Sequence, residues 1–254
     1  MKKLRSWGCR FIKPFTSSGK SAYLESKALG IEGMRAQHTA RLSSRGPEEG
    51  SMLALTFDDG PNPDVTPLLL DVLKRYGAKA TFFLIGREAI SHRDLAQRIL
   101  EEGHDLGNHT MNHVRCSDES ERVLFRQVQD AQDAIRQATG QEALWFRPPF
   151  GDLDEGQLHL PMRSGLRTVF WTQKIRDWEN ANETEIIRQM QSVLHPGSVL
   201  ALHEKFDSVA RALEPILQEM DKRGLRSVGL KELLHIDTAS SVKAAVSPSG
   251  RINV

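Results

Sequence analysis

The chain has 254 residues, of which 39% are hydrophobic, and its 34 basic side chains are balanced by 33 acidic ones. This composition supports one sizeable core, and the balanced charge excludes a global electrostatic argument for a nucleic-acid or anionic-membrane partner. The cysteines, Cys9 and Cys116, suggest no disulfide framework, and Cys116 is expected to be a structural thiol. We therefore expect one large monomeric domain with tails, whose partner is recognised at a local site.

The two ends of the chain lack the patterns of a packed domain. Residues 1–50 contain Ser, Gly, Arg and Lys without sustained periodicity, so we expect a basic, loosely ordered extension there, with a tail at residues 236–254. No run reaches the length of a membrane span, and Arg10 and Lys13 interrupt the apolar residues that a signal peptide needs. This pattern favours a cytoplasmic location, or an extracytoplasmic one if the start site is misassigned.

The first predicted strand, at 52–55, runs into the segment Thr-Phe-Asp-Asp-Gly-Pro at 56–61. An apolar run that ends in two carboxylates and a Gly-Pro turn delivers those carboxylates to the rim of a sheet. Two adjacent buried carboxylates need a compensating cation, because burying an unpaired charge is strongly unfavourable. Asp58 and Asp59 therefore indicate a cationic partner.

Helix and strand patterns then alternate. The spacing predicts a helix at 66–76, a strand at 80–85, a helix at 94–102 and a short strand at 105–107. His109 and His113 follow this strand, and their H-x-x-x-H spacing predicts two imidazoles on one side of a helical turn. One carboxylate and two imidazoles make a three-ligand metal set with open positions, and they leave the second carboxylate free to act as a base.

The rest of the chain continues the alternation. Helices are predicted at 117–139, 155–164, 182–194 and 208–223, and strands at 144–146, 167–171, 198–202 and 225–228. Alternating strands and helices with short connections predict a parallel sheet. About seven such units, with functional residues at the carboxyl ends of the strands, predict an α/β barrel whose ligand face is that end.

Three further motifs lie at strand ends: Phe-Arg-Pro-Pro-Phe-Gly at 146–151, Asp-Trp at 177–178 and Leu-Ala-Leu-His at 200–203. Taken singly, the aspartate pair is more often a solvated turn and the histidine pair is more often two surface side chains. Several motifs in a fixed order are a much more specific signal.

Over residues 51–235 the sequence resembles the polysaccharide deacetylases with a NodB homology domain, carbohydrate esterase family 4. The resemblance implies a distorted (β/α) barrel of seven strands. It also implies a metal-dependent hydrolase that removes N-acetyl or other N-acyl groups from amino sugars of a polysaccharide, oligosaccharide or glycolipid.

The resemblance assigns roles to the residues of these motifs. Asp58 matches the base and His203 the acid, and the ligands of one divalent ion are Asp59, His109 and His113. That set best suits Zn and also accepts Co, Mn or Ni. The ion would polarise an acyl carbonyl and lower the pKa of bound water.

Two further residues are expected to support the base and the acid. Arg147 matches the arginine that orients the base, and Asp177 matches the aspartate that pairs with the acid histidine. A neighbouring cation favours an ionised base, and a neighbouring carboxylate favours a protonated histidine. An ordinary surface ion pair is the alternative for each residue.

Substrate contacts are expected at Pro148, Phe150, Gly151, Trp178, Ala201 and Leu202. Trp178 is either part of the core or a wall of the acyl pocket, and the resemblance favours the wall. The chain departs from the family at Lys174, where many members carry an aspartate, and at Ala201, where many carry a leucine that lines the acetyl pocket. Alanine removes bulk there, so the preferred acyl group need not be acetyl.

Other functions fit parts of the same pattern. A sugar O-acetyl esterase or a deformylase could use this scaffold, because the site acts on the acyl carbon and constrains the leaving atom weakly. From another class, the domain could be a carbohydrate-binding module that has lost turnover. The intact base and acid argue against that alternative, since a binding module needs neither.

Overall fold

The computed structural model describes residue 46, residues 50–179 and residues 181–236. The predicted extension at 1–50 and the predicted tail at 236–254 lie outside these residues, except for positions 46, 50 and 236. Within the described ranges, no helix is long and apolar enough to cross a membrane.

A parallel sheet forms the centre of the described structure. Its strands are β1 (Met52–Gly60), β2 (Ala80–Leu84), β3 (Asp105–Asn108), β4 (Trp145–Phe146), β5 (Arg167–Thr168), β6 (Gln173–Lys174), β7 (Val199–His203) and β8 (Arg226–Ser227). The order across the sheet is β5-β4-β3-β2-β1-β7-β6, and β8 pairs with the beginning of β1. The pairings are parallel, which confirms the predicted α/β class with about seven parallel strands.

All but the last of the described helices pack on the outside of this sheet, and the short last helix contributes to its inner side. The helices are α1 (Thr66–Arg75), α2 (Gly86–Ser91), α3 (Arg93–Glu101), α4 (Glu121–Thr139), α5 (His159–Arg163), α6 (Glu183–Gln191), α7 (Asp207–Lys222) and α8 (Leu230–Leu233). The ends of the longest helix follow local chemistry, because the Ser120 side chain caps the start of α4 and Gly140, with a left-handed φ of 76°, ends it. At α6, Asn182 Oδ1 accepts from the Glu185 N–H at 3.0 Å.

The sheet separates two apolar clusters, because successive side chains of a strand point to opposite faces. On β1, Leu53, Leu55 and Phe57 pack in the outer cluster with the helices, whereas Ala54 belongs to the inner one. The other inner residues are Phe83, Trp145, Val169, Val199, Val228, Leu230 and Leu233. A sheet that encloses a core of its own is a distorted, open barrel, and its path ends at β5 and β6.

Some local predictions differ from the structure. The short helix α2 is not predicted, because six residues are too few to show a helical period. The predicted strand at 167–171 is reduced to β5, and β6 follows it. The predicted helix at 155–164 begins later, at α5, with Pro161 in its first turn, where a missing backbone N–H is tolerated.

Candidate metal and catalytic site

The two adjacent carboxylates of β1 occupy different environments. Asp58 lies in register with Phe83 of β2 and with His203 of β7, and it is buried. The pairing with β2 shifts between Asp58 and Gly60, and Asp59 has a positive φ of 76°. This irregularity breaks the strand alternation, so the second carboxylate leaves the ladder while the first stays within it.

Arg147 holds the Asp58 carboxylate from the end of β4. Its guanidinium is fully buried, and Nη1 donates to Asp58 Oδ1 at 2.8 Å and to Thr56 Oγ1 at 2.6 Å. Nη2 and Nε donate to the carbonyl oxygens of Phe170 and Val169 at 3.0 and 3.3 Å. Burial lowers the pKa of Arg147, and the charge of Asp58 opposes this effect. Such a buried pair is not an ordinary surface ion pair, so that alternative does not apply to Arg147.

The histidine pair lies in a loop, and the predicted helical turn is wrong. β3 ends at Asn108, and the residues from His109 to His113 are not helical. Thr110 and His113 have positive φ angles of 63° and 56°, which a right-handed helix does not contain. The loop conformation, rather than helical spacing, brings the two imidazole centroids to 5.1 Å.

Helix α4 supports this loop through polar residues that no sequence motif indicates. Asn108 Nδ2 donates to a carbonyl oxygen of α4 at 2.9 Å, and Asn108 Oδ1 accepts from the Thr110 N–H at 3.0 Å. The backbone oxygen and the side-chain oxygen of Gln127 accept from the N–H groups of Met111 and Asn112, each at 2.9 Å. The hydrophobic periodicity of α4 predicts which face of the helix is buried, but it does not predict these polar contacts.

Asp59, His109 and His113 converge at the carboxyl end of the sheet. Asp59 Oδ1 lies 3.0 Å from His113 Nε2 and 3.4 Å from His109 Nε2, and potential ligand atoms of the three residues lie within 4.8 Å of one another. His109 Nδ1 donates to the Arg147 carbonyl oxygen at 2.7 Å, since a carbonyl oxygen only accepts. This contact makes Nε2 the nitrogen that faces Asp59 and can bind a metal.

The electrostatics of this cluster suit a divalent cation. Burial alone would raise the pKa of Asp59, but its contacts with His109 and His113 outweigh burial and hold the pKa well below its usual range. Asp59 Oδ1 is a buried oxygen without an aligned hydrogen bond. One carboxylate oxygen and two imidazole nitrogens form a set that fits Zn²⁺. Cys116 is a separate, buried thiol whose pKa is raised to about 12 by burial.

His203 is held by Asp177 at the end of β7. Asp177 Oδ1 accepts from His203 Nδ1 at 2.8 Å, and Oδ2 accepts from the His203 backbone N–H at 2.6 Å. Burial alone would lower the pKa of His203, but the hydrogen bond and charge of Asp177, with the charges of Asp58 and Asp59, raise it. Asp177 is buried, so the surface ion pair is not the correct description here either. The arrangement suits proton donation from Nε2.

Two of the expected substrate-binding side chains lie beside these groups. Phe150 is 50% exposed, and its ring centroid lies 4.7 Å from that of His113. The Trp178 ring meets the His203 ring edge-on, with 5.2 Å between centroids. Both aromatic residues therefore border the site, one near each proposed functional cluster.

The other residues expected to contact the substrate have no described contact with the proposed catalytic groups. Pro148 and Ala201 are buried, and Ala201 lies on the inner side of β7. Gly151 has a positive φ of 69°, and a Cβ there would collide with Trp171, which no motif indicates. Leu202 is not brought to the site, because it packs in the outer core between the sheet and the helices.

Comparison with known proteins decides the family. Residues 45–169 match the family model described as polysaccharide deacetylase. A peptidoglycan N-acetylglucosamine deacetylase of Bacillus cereus is 37% identical over 194 residues, which span 74% of this chain and 90% of that relative. The chain belongs to the polysaccharide deacetylase family.

Two other members of this family are similar to the chain. A chitooligosaccharide deacetylase of Sinorhizobium fredii is 38% identical over 151 residues, which span 59% of this chain and 70% of the relative. The crystal structure of the Bc1960 peptidoglycan N-acetylglucosamine deacetylase matches with a TM-score of 0.74 at 30% identity, over 76% of this chain and 92% of that one. The family and the fold that the motifs imply are thus confirmed.

Proposed function

We propose that this family member is a metal-dependent hydrolase that removes N-acyl groups, chiefly N-acetyl, from amino sugars of a glycan, with residues 51–235 as its catalytic domain. One arrangement carries the proposal. A three-ligand cluster shares the carboxyl end of the sheet with a carboxylate held by a buried arginine and with a histidine held by a buried aspartate. Base, acid and metal ligands together are what acyl transfer to water requires.

Asp59, His109 and His113 are the residues that would hold one divalent ion. Their oxygen and nitrogen atoms suit Zn best, and Co, Mn or Ni are compatible with the same set. When bound, such an ion polarises the acyl carbonyl and lowers the pKa of bound water. The proton transfers are then the task of the chain's own residues.

Asp58 is proposed as the general base. Arg147 binds Oδ1, which leaves Oδ2 to accept a proton from the attacking water. Thr56 helps to orient this pair: its hydroxyl donates to the Leu200 carbonyl at 2.8 Å, so its oxygen is presented to Arg147 as an acceptor. Thr56 and the carbonyl oxygens of Val169 and Phe170 thus hold the arginine in one orientation, and the arginine holds the base.

His203 is proposed as the general acid. Its Nδ1 proton is engaged by Asp177, so Nε2 is the nitrogen that donates a proton to the leaving amine. The raised pKa of His203 favours the protonated form at the start of the reaction. Asp177 also accepts from the backbone N–H of His203, so one carboxylate restrains both the backbone and the ring of this residue.

The substrate is proposed to be an N-acetylated glycan such as peptidoglycan or a chitin oligomer. Relatives named for each of these substrates match the chain. Phe150 supports a sugar substrate, because its half-exposed ring beside His113 offers apolar surface to the C–H groups of a pyranose, with the Arg115 guanidinium 4.5 Å from the ring centroid. Ala201 is proposed to widen the acyl pocket relative to members with leucine at this position.

Acetate release tests the proposed function. The protein is incubated with N-acetylglucosamine oligomers, with peptidoglycan, and with O-acetylated and N-formylated sugars, and the released acid is measured. We expect acetate from the N-acetyl substrates, loss of release after exhaustive chelation, and recovery with added Zn or Co. Full activity in the chelated protein would contradict the metal role. Release from O-acetyl or N-formyl sugars alone would favour the esterase or the deformylase, and binding without release would favour the silent module.

A further inference from the structure

A buried glutamate follows the proposed acid and has no part in the chemistry described above. Glu204 is 1% exposed, and its backbone N–H donates to the Asp58 carbonyl oxygen at 2.9 Å. Its own carbonyl oxygen accepts from Asn62 Nδ2 at 2.9 Å. The Glu204 backbone therefore ties the end of β7 to the chain on both sides of Asp59.

The carboxyl group of Glu204 lies against the turn that follows Asp59. Oε2 accepts a hydrogen bond from Thr66 Oγ1, which itself accepts from the Asn62 N–H at 2.7 Å. A Cβ at Gly60 would collide with Oε1 of Glu204. Gly60 does not have a left-handed φ, so its backbone conformation does not require glycine. Glycine is required because the Glu204 carboxyl group occupies the space that a Cβ would need.

This carboxyl group forms no ion pair with any residue in the described part of the chain. Burial raises the pKa of Glu204 to about 8, helped by the charges of Asp59 and Asp58 and opposed by the hydrogen bond from Thr66. Oε1 is buried without a hydrogen-bond partner. The raised pKa favours the neutral acid, whose Oε2 accepts the hydrogen bond from Thr66.

We propose that Glu204 is a positioning residue that fixes the orientation of the metal-binding Asp59, a role that rests on the proposed function of this site. Asp59 lies at a strand irregularity with positive φ, so the backbone that follows it directs its carboxylate. Glu204 packs against Gly60 and reaches Asn62 through Thr66, and it supports that backbone at both points. Groups that orient metal ligands typically change metal affinity about 10- to 100-fold.

The opposite end of the sheet offers a matched control. Asp105 is also a buried carboxyl group: Oδ2 accepts from the Lys231 backbone N–H at 2.7 Å, and a Cβ at Gly229 would collide with it. Like Glu204, it supports a turn beside a glycine, but it lies at the start of β3, away from the proposed ligands. Asp105→Ala therefore shows how the loss of a buried carboxyl group that supports a turn changes the melting temperature and Zn²⁺ affinity when that turn is remote from the proposed ligands.

The experiment compares Zn²⁺ dissociation constants, measured by competition with a chromophoric chelator, and melting temperatures in the same samples. We expect Glu204→Ala to weaken Zn²⁺ binding about 10- to 100-fold. Glu204→Gln should remain within about threefold of wild type, because the amide supplies the same acceptor and a donor in place of the acid proton. Asp105→Ala should melt at a lower temperature while it keeps the wild-type dissociation constant.

Gly60→Ala tests the contact between Gly60 and the Glu204 carboxyl group by changing the glycine instead of the glutamate. It can also be measured if Glu204→Ala does not fold. Its methyl group meets Oε1, so Zn²⁺ affinity should fall, and the double variant with Glu204→Ala should bind no more weakly than Glu204→Ala alone, as coupled residues do. Unchanged affinity in both single variants, with Zn²⁺ bound by wild type, would overturn the positioning role alone. An equal loss in Asp105→Ala would overturn it too. A wild-type protein that binds no Zn²⁺ would overturn the role together with the proposed function.

Discussion

The two ends of the parallel sheet use their buried polar groups differently. At the amino end, Asp105 accepts from the Lys231 backbone N–H, and the Lys231 ammonium lies 3.4 Å from its other oxygen. Ser227 Oγ there donates to one backbone carbonyl and accepts from one backbone N–H. At the carboxyl end, Asp59 Oδ1 is buried without an aligned hydrogen bond and faces two imidazole nitrogens. These two groups at the amino end are thus paired within the chain, whereas the oxygen and nitrogen atoms of Asp59, His109 and His113 face one another in an arrangement that suits a cation.

Arg147 differs from the metal-ligand cluster, because it lies at the same carboxyl end and yet is paired within the chain, as Asp177 also is. Arg147→Met leaves Asp58 buried without its cation, so we expect the free energy of unfolding to fall by about 3–5 kcal/mol, with loss of deacetylation. Urea denaturation measures the change. Arg163→Met is the control, since it removes an exposed guanidinium 4.5 Å above the Phe125 ring and should change stability by no more than about 1 kcal/mol. Equal effects of the two substitutions would show that the Asp58 pair is not a buried charge pair.

Asp177→Asn should alter the pH profile more than the fold. His203 must be protonated to donate, so activity falls as the pH rises through its pKa, and Asp177 raises that pKa. Removing the carboxylate charge lowers the pKa of His203, and the alkaline limb of kcat should move to lower pH. Above that limb, the loss should approach the roughly 10²-fold that a general acid contributes. An alkaline limb that stays in place would mean that His203 is not the acid.

Ala201→Leu carries the smallest expected effect, and it tests whether the inner side of β7 reaches the acyl group. If it does, the larger side chain should narrow selectivity toward N-acetyl by roughly 1 to 3 kcal/mol for each added methylene of the acyl chain. Relative kcat/KM for N-acetyl, N-propionyl and N-butyryl glucosamine oligomers measures this. Leu202→Met, on the outer face, should leave the ratios unchanged. Unchanged ratios in Ala201→Leu would instead indicate that Trp178 or Phe150 already fills the gap.

The fold and the proposed chemical groups were predictable because each lies in a contiguous segment with its own local pattern. Asp58, Arg147 and His203 each follow a run of buried residues, and parallel strands bring such ends together. The alternation of strand and helix patterns was enough to predict a parallel sheet, but not the order of its strands. Local sequence therefore carried the fold class and the candidate groups at the strand ends, whereas the roles proposed for Arg147 and Asp177 came from the family resemblance.

The conformation of the histidine loop and the supports of the site could not be predicted. Thr110 and His113 have positive φ angles, which their residue types do not predict because residues other than glycine rarely adopt them. The H-x-x-x-H spacing therefore suggested a helix. The hydrogen bond between Thr66 and Glu204 joins residues 138 positions apart. Such a contact follows from the assembled tertiary structure, and no local period encodes it.

The division of labour between the adjacent aspartates tests the central claim most directly. Zn²⁺ titrations and acetate release are measured on Asp58→Asn and Asp59→Asn, two substitutions of equal size at neighbouring positions. We expect Asp59→Asn to lose Zn²⁺ affinity, whereas Asp58→Asn keeps the metal and loses turnover by roughly 10²-fold or more. Equal loss of Zn²⁺ affinity in the two variants would contradict the assignment of one carboxylate to the metal and the other to the proton.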